Sequence, residues 1–336
     1  MRWFQALAAV STALLLSGCI LARDIPYETL EAKYASPGSR FVELRPGLRI
    51  HYRDQGRPDG PPLVLVHGFA AALQAWEPWV AELGPRYRII TLDLPGHGLT
   101  RTPPGYSLTG SDQVAVVDAL TQRLGIESFA LGGHSMGGGV AWRYAMAHPE
   151  RVNALILIDA AGAPVARGAS AAVNDKPSVA FQLLANPVGR ALLRNVDPRL
   201  VVGQGLKSAY VDETLVTPAL VKRYSEMARA PDRRRMLTSG RPENLRPPPL
   251  DAFKAIAVPT LVMHGEADTV IDVAAGRALA EAIPKAKLIT YPGVGHMPME
   301  QIPANSADDL DAFLSTVLAN TGARTDATPR RPAPVG

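Results

Sequence analysis

A serine, an acid and a histidine stand in this chain where they could attack a carbonyl group. Ser135 lies in Gly133-His134-Ser135-Met136-Gly137, Asp268 ends His264-Gly265-Glu266-Ala267-Asp268, and His296 ends Pro292-Gly293-Val294-Gly295-His296. A serine hydroxyl is a poor nucleophile at its free pKa and needs a base within hydrogen-bonding reach. A histidine would take the Oγ proton and later return it to a leaving alcohol. A carboxylate on the other ring nitrogen would fix the tautomer and stabilise the imidazolium. Asp159, at the end of a strand of its own, competes with Asp268 for that role. His264 precedes a glycine turn and reads as structural, and Asp272 reads as a first-turn acid of the next helix, where negative charge favours the dipole. His97 reads as a turn residue and His134 as packing beside the serine.

The flanking patterns say what must hold these groups. Residues 128–131 are short and apolar, a buried strand, and residues 140–146 have the spacing of a packed helix. A strand that becomes a helix within so few residues must bend sharply, and glycines 133 and 137 permit close approaches that a β-carbon would block. The serine then sits in a strained turn beside N–H groups at a helix N-terminus, a nucleophile elbow. Residues 258–263 and 287–291 read as strands that deliver the acid and the histidine at their C-terminal ends, the edge where catalytic groups converge in an open parallel sheet.

The remaining elements complete an α/β architecture. Residues 63–66, 88–92 and 154–158 are further apolar strands, with helices at 76–83 and 114–124 between them, so the pattern is a parallel sheet covered on both sides. Residues 41–44 and 48–52 flank Arg45-Pro46-Gly47 as a β-hairpin, with His51 facing solvent or a partner strand. Residues 161–250 break the alternation with helix-like pieces and no strand, which makes a helical cap over the strand ends. The core is then 39–160 with 251–320, and the proline-rich residues 321–336 form a disordered tail.

The ends and the composition narrow the partners. Arg2 and an apolar run from 4 to 16, too short to span a bilayer comfortably, lead to Leu16-Ser17-Gly18-Cys19. This resembles a bacterial lipoprotein signal (residues 1–18) with lipid attached to Cys19, and residues 19–38 read as a spacer from the anchor. Ile20 after the cysteine implies sorting to the outer membrane, facing the periplasm. Net charge is only +4, and Arg233-Arg234-Arg235 reads as a solvated helix face. Nothing resembles a nucleic-acid module, and neither the seven histidines nor the single cysteine has metal-ligand spacing, so neither metal nor cofactor is expected.

Five segments in this order resemble the α/β-hydrolase fold family over about residues 41–320. They are His67-Gly68-Phe69, similar to the family's oxyanion loop, Asp93-Leu94-Pro95-Gly96-His97-Gly98, the elbow, Asp268 and His296. The resemblance implies Ser135 as nucleophile, His296 as base, Asp268 as acid, and the backbone N–H groups of Phe69 and Met136 as oxyanion donors. It implies a serine hydrolase acting on hydrophobic carboxylic esters through an acyl-enzyme. Carbon–carbon bond hydrolases of ring-cleavage products share the order, but their Gly-Pro-Gly-like loop and asparagine before the nucleophile are replaced here by His67-Gly68-Phe69-Ala70 and His134. A hydrolase-fold ligand receptor without turnover is a third reading. Oligomeric state is not legible.

Overall fold

The computed structural model describes residues 23–164, 179–239 and 248–325, and eight strands in it form one sheet. They are β1 (Ser39–Arg45), β2 (Leu48–Gly56), β3 (Pro62–Val66), β4 (Arg88–Leu92), β5 (Phe129–His134), β6 (Val152–Ile158), β7 (Thr260–Gly265) and β8 (Ala286–Tyr291). The order is β1-β2-β4-β3-β5-β6-β7-β8; β2 pairs antiparallel with β1 and β4, and the other pairings are parallel. Every residue of β5 and β7 is buried. Strands covered on both faces need apolar side chains on both, which is why these segments do not alternate.

Twelve helices surround the sheet among the described residues: α1 (Tyr27–Tyr34), α2 (Glu77–Leu83), α3 (Gly110–Arg123), α4 (Met136–Ala147), α5 (Val179–Leu184), α6 (Pro187–Asn195), α7 (Arg199–Ala209), α8 (Pro218–Met227), α9 (Arg233–Leu237), α10 (Val273–Ala282), α11 (Pro298–Gln301) and α12 (Pro303–Thr325). Alternate β3 residues feed two cores. Val64 and Val66 join Val117, Leu120, Val140, Ala141 and Leu279 of α3, α4 and α10, whereas Leu63 and Leu65 join Trp79, Leu83, Leu310 and Leu314 of α2 and α12. Trp76 and Trp79 are fully buried, and the Trp79 indole N–H donates to Ser306 Oγ at 2.8 Å, so the ring's polar edge is satisfied where its faces are dry. Helices α5 to α9 lie between β6 and β7, and the described residues of that insertion contain no strand.

Several expectations are corrected. Within the expected spacer, Pro26 and Pro37 bracket a helix instead of abolishing one: α1 buries Leu30, and Glu31 meets Arg49 and Arg101. Helix α1 also meets the insertion, through Lys33 and Tyr34 on Glu226 of α8. Helix α3 starts at Gly110 because Thr109 Oγ1 accepts the Asp112 N–H at 3.0 Å, an N-cap that moves the start ahead of the apolar run. Of the two placements expected for His51, solvent is excluded, since it is fully buried, and the partner strand holds: it stacks on Phe41 of β1. Arg233 is only 1% exposed; its guanidinium donates to the carbonyls of Gly98 (3.0 Å) and Met227 (3.1 Å), tying α9 to the core. Helix α12 continues through Thr325, into the expected tail. Cys19 and the signal-like residues lie outside the described residues.

Candidate active site

Ser135 joins β5 to α4 with φ 52° and ψ −117°, a conformation that costs a residue with a β-carbon about 1–3 kcal/mol and persists only where the surroundings enforce it. The glycines admit the close packing that holds it. A β-carbon on Gly133 would lie 2.2 Å from the Gly137 carbonyl oxygen, and one on Gly137 would lie 2.1 Å from that of Val66. The bend is also tied to the neighbouring strand β6, since the Ser135 N–H donates to the Ile158 carbonyl at 2.9 Å. Met136 opens α4, so its N–H is one of those a helix cannot bond internally.

Beyond β7 and β8 the acid and the histidine meet. His296 Nδ1 lies 2.6 Å from Asp268 Oδ2, and both residues are buried. Asp268 Oδ1 accepts the N–H groups of Val270 (2.7 Å) and Ile271 (3.0 Å), which fixes the carboxylate in its own turn. Burial works against ionising Asp268, but His296 and His264 outweigh it and hold the carboxyl well below the ordinary range. Burial likewise disfavours charge on His296, and Asp268 reverses this and raises its pKa. The pair adjoins the elbow: His134 Nε2 donates to the His296 carbonyl at 2.7 Å, and the two rings are 4.6 Å apart.

The segment after β3 passes the serine. A β-carbon on Gly68 would sit 2.7 Å from His134 Nδ1 and 3.2 Å from Ser135 Cβ. His67 Nε2 accepts the Leu94 N–H at 3.1 Å, so the ring is neutral with its proton on Nδ1, which donates to the Gly68 carbonyl at 2.7 Å. Burial lowers the His67 pKa and favours that state. Phe69 follows, 36% exposed, its ring edge-on to His97 at 6.1 Å, and Ala70 takes φ 57°. The expected donor residues, Phe69 and Met136, therefore stand on two segments that converge at Ser135.

Asp159 does not bond His296. Its Oδ1 accepts the Gly265 N–H at 2.9 Å and lies 3.5 Å from His264 Nε2, and its buried Oδ2 has no hydrogen-bond partner. Burial pushes Asp159 up to about 7. Burial opposes charge on His264, but Asp159 and Asp268 outweigh it and raise that ring to about 9. Asp159, His264 and Asp268 offer ligand atoms within 4.8 Å of one another, the spacing of a cation site. The donor set fits a metal poorly, because His264 Nε2 is held by the Ile271 carbonyl at 2.9 Å and Asp268 Oδ2 by His296. The cluster reads as a buried charge pairing behind the acid.

Sequence reasoning missed a serine–histidine–aspartate chain elsewhere in the fold. His51 Nδ1 is 2.6 Å from Asp93 Oδ2, and His51 Nε2 is 2.8 Å from Ser39 Oγ. Asp93 also accepts the N–H groups of Leu73 (2.8 Å) and Leu99 (2.7 Å), so it organises the turn after β4 and the one after β3. The strand pattern gives no signal for it, since its partners Ser39 and Asp93 come from other segments of the chain.

Comparison with known proteins bears on the fold. The model of the alpha/beta hydrolase fold family matches residues 61–303. The chain is 29% identical over 293 residues to 2-hydroxymuconate semialdehyde hydrolase of Pseudomonas sp. (strain CF600), covering 85% of this chain and 97% of that one. It is 27% identical to the pimeloyl-[acyl-carrier protein] methyl ester esterase of Nitrosomonas europaea, covering 79% and 99%. The crystal structure of a membrane phospholipase A described as a bacterial virulence factor superposes with a TM-score of 0.70 at 28% identity, covering 94% of this chain and 99% of that one. With the sheet order, the glycine-flanked bend at Ser135 and a family match across most of its length, the chain belongs to the alpha/beta hydrolase fold family.

Proposed function

We propose that the protein is a serine hydrolase that cleaves carboxylic esters of hydrophobic substrates. The observation that carries this is the His296–Asp268 contact of 2.6 Å beside a serine held at φ 52° on a helix N-terminus. Ser135 Oγ attacks the ester carbonyl while His296 takes its proton. The N–H groups of Met136 and Phe69 receive the oxyanion, each such donor being worth about 3–4 kcal/mol of barrier. His296 then protonates the leaving alcohol, and water releases the acyl group by the same route. Ester cleavage is supported by the phospholipase-like structure, which matches more of this chain than the other relatives named above.

Carbon–carbon bond cleavage is the second reading, favoured by the semialdehyde hydrolase relative. The decisive assay compares p-nitrophenyl esters of two to sixteen acyl carbons with a ring-cleavage product. An apolar acyl chain gains about 0.8 kcal/mol per methylene that the site buries. A kcat/KM rising over short to medium chains supports the ester reading. Turnover of the ring-cleavage product with flat, low ester rates supports the second.

We also propose lipid attachment at Cys19 and an outer-membrane location facing the periplasm. Asp24 pairs with Arg234, and the Ile25 N–H donates to the Arg229 carbonyl. A six-residue tether from Cys19 to Ile25 reaches at most about 20 Å, so such an anchor would keep the cap near the membrane. Cys19→Ser should release the protein from the membrane fraction; acyl-free wild-type protein by mass spectrometry would contradict the assignment.

A further inference from the structure

The C-terminal end of cap helix α7 is bonded to both loops that carry the proposed catalytic pair. The last carbonyls of a helix have no partner within it, and in α7 two of them are taken by the core. The Ala209 carbonyl accepts the His296 N–H at 2.7 Å, and the Ser208 carbonyl accepts the Thr269 hydroxyl at 2.6 Å. Tyr210, buried just beyond the helix, donates its phenol to Glu300 Oε2 on α11 at 2.8 Å. Gly295 leaves room for this approach, since a β-carbon there would lie 2.6 Å from the Ala209 oxygen. Thr269 belongs to the turn whose Val270 and Ile271 N–H groups grip Asp268 Oδ1, so what holds Thr269 also holds the acid.

We propose that residues 208–210 are a positioning element for His296 and Asp268, so that the cap sets the alignment of the histidine and the acid as well as the shape of the pocket. The inference rests on the reading of Ser135, His296 and Asp268 as the catalytic groups. Its consequence is that loosening α7 slows every substrate, including those too small to touch the cap. A cap that only encloses substrate would instead affect KM for long acyl chains.

The test measures p-nitrophenyl acetate turnover and the labelling rate with a small fluorophosphonate in Tyr210→Phe, Thr269→Val and Thr269→Ser. One hydrogen bond of about 1 kcal/mol corresponds to roughly 5- to 10-fold in rate. Tyr210→Phe and Thr269→Val should each lower kcat and the labelling rate by about that factor, with KM within about twofold. Thr269→Ser, which keeps the hydroxyl, should recover the wild-type rate. Thr269 lies at the surface, so its variants remain informative even if loss of the buried phenol prevents folding. Wild-type protein that takes no label defeats the serine-hydrolase reading itself. Labelled wild type with variants that react equally fast, or that change only KM for long esters, overturns the positioning role alone.

Discussion

Two buried histidine–aspartate pairs in this protein have the same 2.6 Å contact; His51 also meets Ser39, and His296 adjoins the Ser135 elbow through His134, yet only the second arrangement is built for chemistry. In the Asp93–His51–Ser39 chain every group serves the fold. The histidine stacks on Phe41 within the hairpin (4.9 Å between rings), and the serine sits in regular strand, its oxygen also accepting the Ser36 N–H at 3.0 Å. In the Asp268–His296 arrangement the carboxylate is fixed by its own turn, and the neighbouring serine is forced to positive φ at a helix start. The difference lies in the serine. A histidine–aspartate pair supplies basicity; attack also requires a strained, accessible hydroxyl with N–H donors aimed at the developing charge.

The largest test of this comparison is at the serines. Ser135→Ala should reduce ester turnover on the order of 10⁶-fold, as for other triad serines. Ser39→Ala should leave kcat within about twofold and cost roughly 1 kcal/mol of stability, one hydrogen bond's worth. Comparable losses of activity from both substitutions in a steady-state assay would erase the distinction.

The acids should separate in rate. Asp268→Asn should lower kcat by roughly 10⁴ by favouring the wrong imidazole tautomer, a loss of rate that Asp93→Asn should not share; both carboxylates bond a histidine and two backbone N–H groups, so both substitutions should destabilise. Asp93→Asn leaves His51 and two backbone N–H groups without their carboxylate, and should cost on the order of 2–4 kcal/mol of stability in urea unfolding. The reverse pattern would exchange the roles of the two pairs.

The rate should also report His296. Attack needs its neutral form, and Asp268 raises its pKa, so kcat/KM should rise with pH through an apparent value above that of free imidazole. Asp268→Asn should move that limb to lower pH. An unmoved limb would mean that another group titrates.

The smallest effect concerns Glu300, which burial pushes up to about 7. A carboxyl whose folded pKa exceeds its unfolded value binds more protons when folded, so stability falls as pH rises from about 4.5 to 7. Glu300→Gln should flatten the pH dependence of urea unfolding in that window. The wild-type slope persisting in the variant would place the effect elsewhere.

The sheet and the elbow were legible because their signals are local. Residues 63–66 and 154–158 are apolar at every position, and Gly133 and Gly137 flank one serine at a strand–helix junction. What escaped notice depends on contacts far apart in the chain. Arg233 reads as surface until the carbonyls of Gly98 and Met227 receive it, and residues 27–34 look like linker until Glu226, Arg49 and Arg101 surround them. Gly295 carried a usable hint, a glycine directly before the histidine, but the Ala209 carbonyl that requires it comes from the helical insertion between β6 and β7.

The central claim, that the fold activates one serine and leaves the other inert, is tested most directly by fluorophosphonate labelling of the full-length protein followed by peptide mapping. The account predicts a single adduct on Ser135, abolished by Ser135→Ala and unaffected by Ser39→Ala. No adduct on the folded protein, or an adduct on Ser39, would contradict it.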